Sequence, residues 1–438
     1  MAQTTKKSSN FLDKFAEFAA KLGNQVHLRS LRDAFAVLMP LFILAGVAVL
    51  INNVVFPWFF EGSTLESAQI WGTVIINGTL NIAGLLIAPM IGYNLSVNKG
   101  FMNPIASAAV GIASLVIMMP VNLFVTPVGS EEQVLTSGAM TFGNLGTTGM
   151  FAGIIIGLVA TELFIKLSGI KRLQINLGEN VPPQVGKSFS TMIPVILVLS
   201  LLGIVALILH VLFDTDLITL ISVAIQEPLR AINTSLLGTI LIYSTGNFLF
   251  TLGIHQSVIN GTLLDPLLLT NMNENTLAFA EGKDIPYIIT SAFVPTFGMI
   301  GGTGSTLCLL IAIFIFSKQK SAKDLGKLAI APGVFNINEP VIFGYPIVFN
   351  LPMMIPFVLQ PAIGILIGYF ATSVGLMNRT VANIPWTTPP LLSAFLATAG
   401  DWRAVIVQLI IIVIGVALYL PFMKISERAA QIASEKSA

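Results

Sequence analysis

Long apolar runs without a single Asp, Glu, Lys or Arg recur along the whole sequence, and they leave few folds open to the chain. They are Ala34 to Phe60, Ser67 to Asn98, Phe101 to Ser130, Gln133 to Thr161, Ser188 to Phe213, Ala231 to Leu264, Ile285 to Ser317, Pro340 to Asn378 and Ala404 to Met423. A helix needs roughly 20 apolar residues to cross a bilayer, and every run meets that length. Of the 438 residues 55% are hydrophobic and 10% charged, whereas a soluble domain carries about 25% charged residues. A strand-built barrel would show alternating segments of about ten residues, and that pattern is missing. The sequence therefore predicts an all-α integral membrane protein.

Loop charges set the orientation, because Lys and Arg favour the cytoplasmic side. Lys6, Lys7, Lys14, Lys21, Arg29 and Arg32 place the N-terminus inside. Phe11, Phe15, Phe18 and Leu22 recur at helical spacing opposite lysines, which predicts an amphipathic interfacial helix. The first apolar run is too long and too far from the start for a cleaved signal peptide. Successive loops then alternate between acidic (Glu61 and Glu66; Glu131 and Glu132; Asp214 and Asp216) and basic (Lys99; Lys166, Lys171, Arg172 and Lys187). Five spans satisfy them all. The basic loop of Lys318, Lys320, Lys323 and Lys327, and the terminal Lys424, Arg428 and Lys436, return to the inside, so parity gives about ten transmembrane helices with both termini cytoplasmic.

Some apolar segments are left over: His255 to Thr270, Leu328 to Asn350 and Asn383 to Ala399, all interrupted by Gly, Pro or Asn. Broken backbone at membrane depth is tolerated only where protein or a wet cavity satisfies its polar groups, and it marks the solute site of many transporters. Two or more re-entrant hairpins are expected, near 255–280 and 328–350. The expected organisation is an interfacial segment over 1–32, a scaffold and dimerisation half of about five spans over 33–215, a solute-binding half over 216–424 and a cytoplasmic tail over 425–438.

Ionisable groups inside the bilayer are costly and point to function. His255, in Gly-Ile-His-Gln-Ser, has no charged neighbour between Arg230 and Asp265; Glu339, in Asn-Ile-Asn-Glu-Pro, is the one charge between Lys327 and Arg379. The plain alternatives are a structural histidine and a helix-start carboxylate before proline. His27 and His210 fall near the membrane surfaces. The single cysteine, Cys308, lies inside an apolar run and excludes an intrachain disulfide or a cysteine metal cluster. Neither a metal nor a cofactor is expected, and a net charge of +1 makes no case for nucleic acid. Without a Walker-type phosphate loop, ATP hydrolysis by this chain is not expected to drive transport.

The runs Gly253-Ile254-His255-Gln256, Gly301-Gly302-Thr303-Gly304 and Gly333 to Gly344, with Asn336-Ile337-Asn338-Glu339-Pro340 at its centre, resemble those of phosphotransferase-system enzyme IIC subunits. The likeness is to the lactose/cellobiose/diacetylchitobiose branch, extends over nearly the whole chain and is most specific at Asn-Glu-Pro. It implies a bacterial plasma-membrane permease, a homodimer of ten-span protomers with the sugar in the second half. It also implies a separate phosphocysteine protein, enzyme IIB, supplied by enzyme IIA, that phosphorylates the sugar's 6-hydroxyl; the chain has no phosphoryl-carrying residue of its own. Glu339 and His255 would line the sugar as catalytic candidates. A carboxylate can both aim an acceptor hydroxyl and take its proton. Gln256, Asn336 and Asn338 offer paired donors and acceptors, Gly301, Gly302 and Thr303 belong to the same candidate site, and Trp386 could stack on a sugar face or anchor at the interface. The rival reading is an ion-coupled sugar symporter in which the same Glu and His relay protons.

Overall fold

The computed structural model describes residues 25–127, 132–176, 182–345 and 347–437; apart from Gln25, the expected interfacial helix lies outside them. The described chain runs through α1 (Val26–Leu50), α2 (Gly62–Gly78), α3 (Ala83–Asn98), α4 (Pro104–Ile117), β1 (Asn122–Val125) and β2 (Val134–Ser137). It continues with α5 (Phe142–Leu145), α6 (Thr147–Ser168), α7 (Pro183–Phe213), α8 (Leu217–Ile221), α9 (Glu227–Asn233) and α10 (Leu236–Thr251). Then come α11 (Ser257–Leu263), α12 (Asp265–Ala280), α13 (Phe293–Gly298), α14 (Thr306–Phe316) and α15 (Lys320–Val334). Last are α16 (Glu339–Gly344), α17 (Leu351–Ser373), α18 (Leu392–Ala397) and α19 (Trp402–Ser437). The residues after Lys424, read from sequence as a tail, continue the last helix as far as Ser437.

Among the described residues seven helical segments are long and apolar enough to cross a membrane, and α4 and α10 are shorter apolar helices. The ten crossings expected from loop charge are thus not all single long helices. The run from Phe101 to Ser130 divides into α4 and β1, with Pro120 between them, where a helix would lack a donor. β1 pairs antiparallel with β2, from Asn122 opposite Ser137 to Val125 opposite Val134, a hairpin that hydropathy alone did not reveal.

The described residues form two compact units, one of 25–44 and 74–231, the other of 45–73 and 232–438. In the first, α3, α4 and α6 pack through small residues. Apolar lipid gives helices no hydrophobic reason to associate, so close van der Waals packing must hold them. A Cβ on Gly92 would stand 2.6 Å from the Ser107 carbonyl oxygen, and the hydroxyls of Ser96 and Ser107 lie 2.5 Å apart. Ile87, Ile91, Leu95, Leu115 and Phe164 are fully buried around this contact.

The second unit has a core of Phe293, Phe297, Leu309, Phe357 and Tyr419, and its polar residues serve broken backbone. Asn275 Oδ1 accepts the Tyr287 N–H at 2.9 Å, and its Nδ2 donates to the carbonyls of Tyr287 (2.7 Å) and Thr380 (2.9 Å). Asn271 donates to the Ile289 carbonyl at 2.9 Å, and Thr276 to that of Val381 at 2.9 Å. Gln408 donates to the Thr296 carbonyl at 2.6 Å and accepts the Leu391 N–H at 2.5 Å. These amides give non-helical stretches the partners that hydrocarbon cannot.

Candidate functional site

Two interruptions face each other within the second unit. The apolar segment from Phe293 to Phe316 stops being α-helical after Gly298 and resumes as α-helix at Thr306, with Gly301, Gly302, Gly304 and Ser305 all at positive φ. Gly302, at φ 96°, could carry no side chain, since a Cβ would lie 2.4 Å from Asn338 Cγ. Freed carbonyls are taken up locally. Thr306 Oγ1 donates to Gly301 at 2.7 Å, Ser305 Oγ to Gly298 at 3.2 Å and the Tyr419 hydroxyl to Gly304 at 2.6 Å.

The second interruption follows α15. Asn336 sits at φ 62° and the Ile337 N–H returns to the Pro332 carbonyl at 3.0 Å, a left-handed helix stop for which Asn is the usual substitute when Gly is absent. α16 then begins at Glu339, with Pro340 in its first turn, where a missing N–H costs nothing.

Asn336 and Asn338 tie these breaks together. Asn336 Oδ1 accepts the Gly301 N–H at 2.7 Å, while its Nδ2 donates to the carbonyls of Trp386 (2.6 Å) and Thr388 (3.2 Å). Asn338 Nδ2 donates to the Thr303 carbonyl at 2.7 Å and to Thr306 Oγ1 at 2.8 Å. Both asparagines and Thr303 are buried. Each such bond is worth about 1 kcal/mol net, but losing one partner strands the other at a cost of roughly 1–3 kcal/mol. Glu339 and Trp386 emerge exposed from this buried frame. Among the described residues Glu339 makes no hydrogen bond or ion pair, so its carboxylate is available to a guest.

His255 enters from a third element. α10 closes with Gly253 at φ 85° and the Ile254 N–H on the Leu249 carbonyl at 3.0 Å, and His255 follows, exposed. The Ser257 N–H donates to His255 Nδ1 at 3.2 Å, which puts the proton of a neutral ring on Nε2. The ring rests on Phe250, centroids 4.8 Å apart, and Phe250 meets Phe357 edge-on at 6.2 Å. Phe357 in turn fills the space where a side chain on Gly304 would stand. Gln256 Nε2 reaches Met299 Sδ at 3.9 Å, beside the glycine turn. Gly301, Gly302, Thr303, Asn336, Asn338 and Trp386 are thus knit directly, and His255 and Gln256 join them through Phe250, Phe357 and Met299. Sequence reading overlooked Phe357, Thr306 and Tyr419, whose apolar or hydroxyl side chains carry no signal outside their packing. Cys308 is fully buried.

Interrupted helices pinned by side-chain amides around an accessible carboxylate define a multi-pass membrane protein of the transporter class. The family model for the phosphotransferase system EIIC matches residues 32–361, and the chain belongs to that family. It is 31% identical over 420 residues to the lichenan permease IIC component of Bacillus subtilis (strain 168), covering 95% of this chain and 92% of the relative. It is 31% identical over 432 residues to the cellobiose-specific EIIC component of Geobacillus stearothermophilus, covering 97% and 95%. Its structure matches the crystal structure of the transporter ChbC, the IIC component from the N,N'-diacetylchitobiose-specific phosphotransferase system. The TM-score is 0.90 at 32% identity, over 97% of this chain and 99% of that one.

Proposed function

We propose that this chain imports a β-linked disaccharide, such as cellobiose or diacetylchitobiose, and presents its 6-hydroxyl to a separate enzyme IIB, itself charged by enzyme IIA. The observation that carries this reading is Glu339, a carboxylate with no partner among the described residues, exposed on a frame that the Asn336 and Asn338 amides hold rigid. An acceptor hydroxyl needs a base at hydrogen-bond distance and little other protein chemistry, since phosphoryl transfer depends mainly on positioning. Glu339 aims the hydroxyl and takes its proton. His255 and Gln256 orient the sugar, Trp386 stacks on its apolar face, and Gly301, Gly302, Thr303, Asn336 and Asn338 border it. The names of the lichenan, cellobiose and diacetylchitobiose relatives support the substrate class. In the same reading the permease works as a homodimer. Its termini and the loops over Lys166 to Lys187 and Lys318 to Lys327 face the cytoplasm, the latter loop forming part of the partner's landing surface.

The test is proteoliposome uptake of labelled cellobiose or diacetylchitobiose, with phosphoenolpyruvate and the cytosolic phosphocarriers sealed inside. The expected product is sugar phosphate, formed only when the carriers are present. Accumulation of unmodified sugar driven by a proton or sodium gradient would make the chain a symporter instead.

A further inference from the structure

Away from the sugar frame, a cavity of about 450 Å³ opens at the basic ends of α3, α6 and α7, wholly within the unit of residues 25–44 and 74–231. Lys99 and Lys187 line it together with Asn103 and Ser168, and among the described residues no acidic side chain does. Lys99 is already engaged by Glu162, which also holds His27 at 3.2 Å and Lys166 at 3.5 Å. Lys187, by contrast, makes no ion pair or hydrogen bond with its side chain among the described residues. Ser168 is 6% exposed, and its hydroxyl has no partner among the described residues. Asn103 uses its Oδ1 on the Ala106 N–H at 3.4 Å, which leaves its Nδ2 able to donate. One ammonium, one amide and one buried hydroxyl thus stand ready to donate into the cavity. A buried hydroxyl left unpaired is costly, so a guest that accepts hydrogen bonds and carries negative charge resolves all three.

The surroundings identify the kind of guest. Met102 in the lining is exposed, as are Ile105, Phe189 and Met192, within two residues of lining positions in sequence, apolar side chains suited to acyl chains and not to water. Basic pockets between spanning helices on the cytoplasmic side suit anionic head groups. We propose that this cavity binds the phosphate of an anionic phospholipid. Lys187 supplies the charge, Asn103 and Ser168 donate hydrogen bonds, and the acyl chains run along Ile105, Phe189 and Met192.

Retention of lipid by the purified, detergent-solubilised full chain tests this. The protein is incubated with an equimolar mixture of phosphatidylglycerol and phosphatidylcholine of matched chains, and bound lipid is quantified by native mass spectrometry. Wild type should retain phosphatidylglycerol in preference. Lys187→Gln should lower that retention roughly fivefold while leaving phosphatidylcholine and sugar affinity unchanged, and Lys187→Arg should restore it. Millimolar inorganic phosphate should not displace the lipid. Equal retention of the two lipids, unchanged retention in Lys187→Gln, failure of Lys187→Arg to restore it, or displacement by free phosphate would each overturn the proposal.

Discussion

The two units solve the same problem, polar backbone in apolar surroundings, in opposite ways. In the unit of 25–44 and 74–231 the long helices bond their own backbone, and small residues such as Gly92 and Ser107 bring them close. In the unit of 45–73 and 232–438 the chain leaves the helix repeatedly, and Asn271, Asn275, Asn336, Asn338 and Gln408 complete the backbone bonding. Of the six non-glycine residues with positive φ among the described residues, five (Ser305, Asn336, Phe349, Leu391 and Ala399) fall in this second unit and only Asp214 in the first. Sparsely populated backbone conformations persist only where the surroundings over-determine them, and they gather at functional sites. The contrast separates a unit shaped for packing from one shaped to expose particular groups.

Substitutions can break that contrast, and Glu339→Gln should have the largest effect. Removing a general base typically lowers rate 10²- to 10⁴-fold, so sugar phosphorylation should fall at least about a hundredfold. The thermal midpoint should stay unchanged, because Glu339 has no partner among the described residues to lose. Gly302→Ala comes next. Its φ of 96° and the 2.4 Å approach to Asn338 Cγ force the two loops apart, so sugar affinity and transport should both drop roughly tenfold or more and the thermal midpoint should fall with them. Gly92→Ala should do least to function. Overpacking against the Ser107 carbonyl costs about 1–3 kcal/mol and lowers the midpoint by several degrees, whereas sugar affinity holds within about twofold. An equal loss of sugar affinity in Gly92→Ala would erase the division of labour between the units.

Much of this arrangement was legible in the sequence because it rests on polarity. Apolar runs such as Ser188 to Phe213 and Ala404 to Met423 became helices, and Glu339 and His255 stood out as ionisable groups among apolar neighbours. What stayed hidden depends on geometry. The run from Phe101 to Ser130 is apolar throughout, yet it holds a short helix and a strand that pairs with Val134 to Ser137, and hydropathy is blind to that division. The Gly-Gly-Thr-Gly run gave only a weak signal, because its meaning lies in the asparagines 35 residues further on that bond to it. Asn336 and Asn338 read from sequence as sugar-facing amides; in the fold Asn336 donates to two loop carbonyls and Asn338 to the Thr303 carbonyl and the Thr306 hydroxyl, uses that no local pattern announces.

The central claim is that this frame delivers Glu339 to the sugar's 6-hydroxyl, and equilibrium binding of a cellobiose-type disaccharide against its 6-deoxy analogue tests it most directly. A hydrogen bond to a charged group is worth about 1.5–3 kcal/mol, so purified wild-type protein should bind the parent sugar roughly ten- to a hundredfold more tightly. In Glu339→Gln that gap should shrink several-fold. Equal binding of the two sugars by wild type would show that Glu339 does not hold the acceptor hydroxyl.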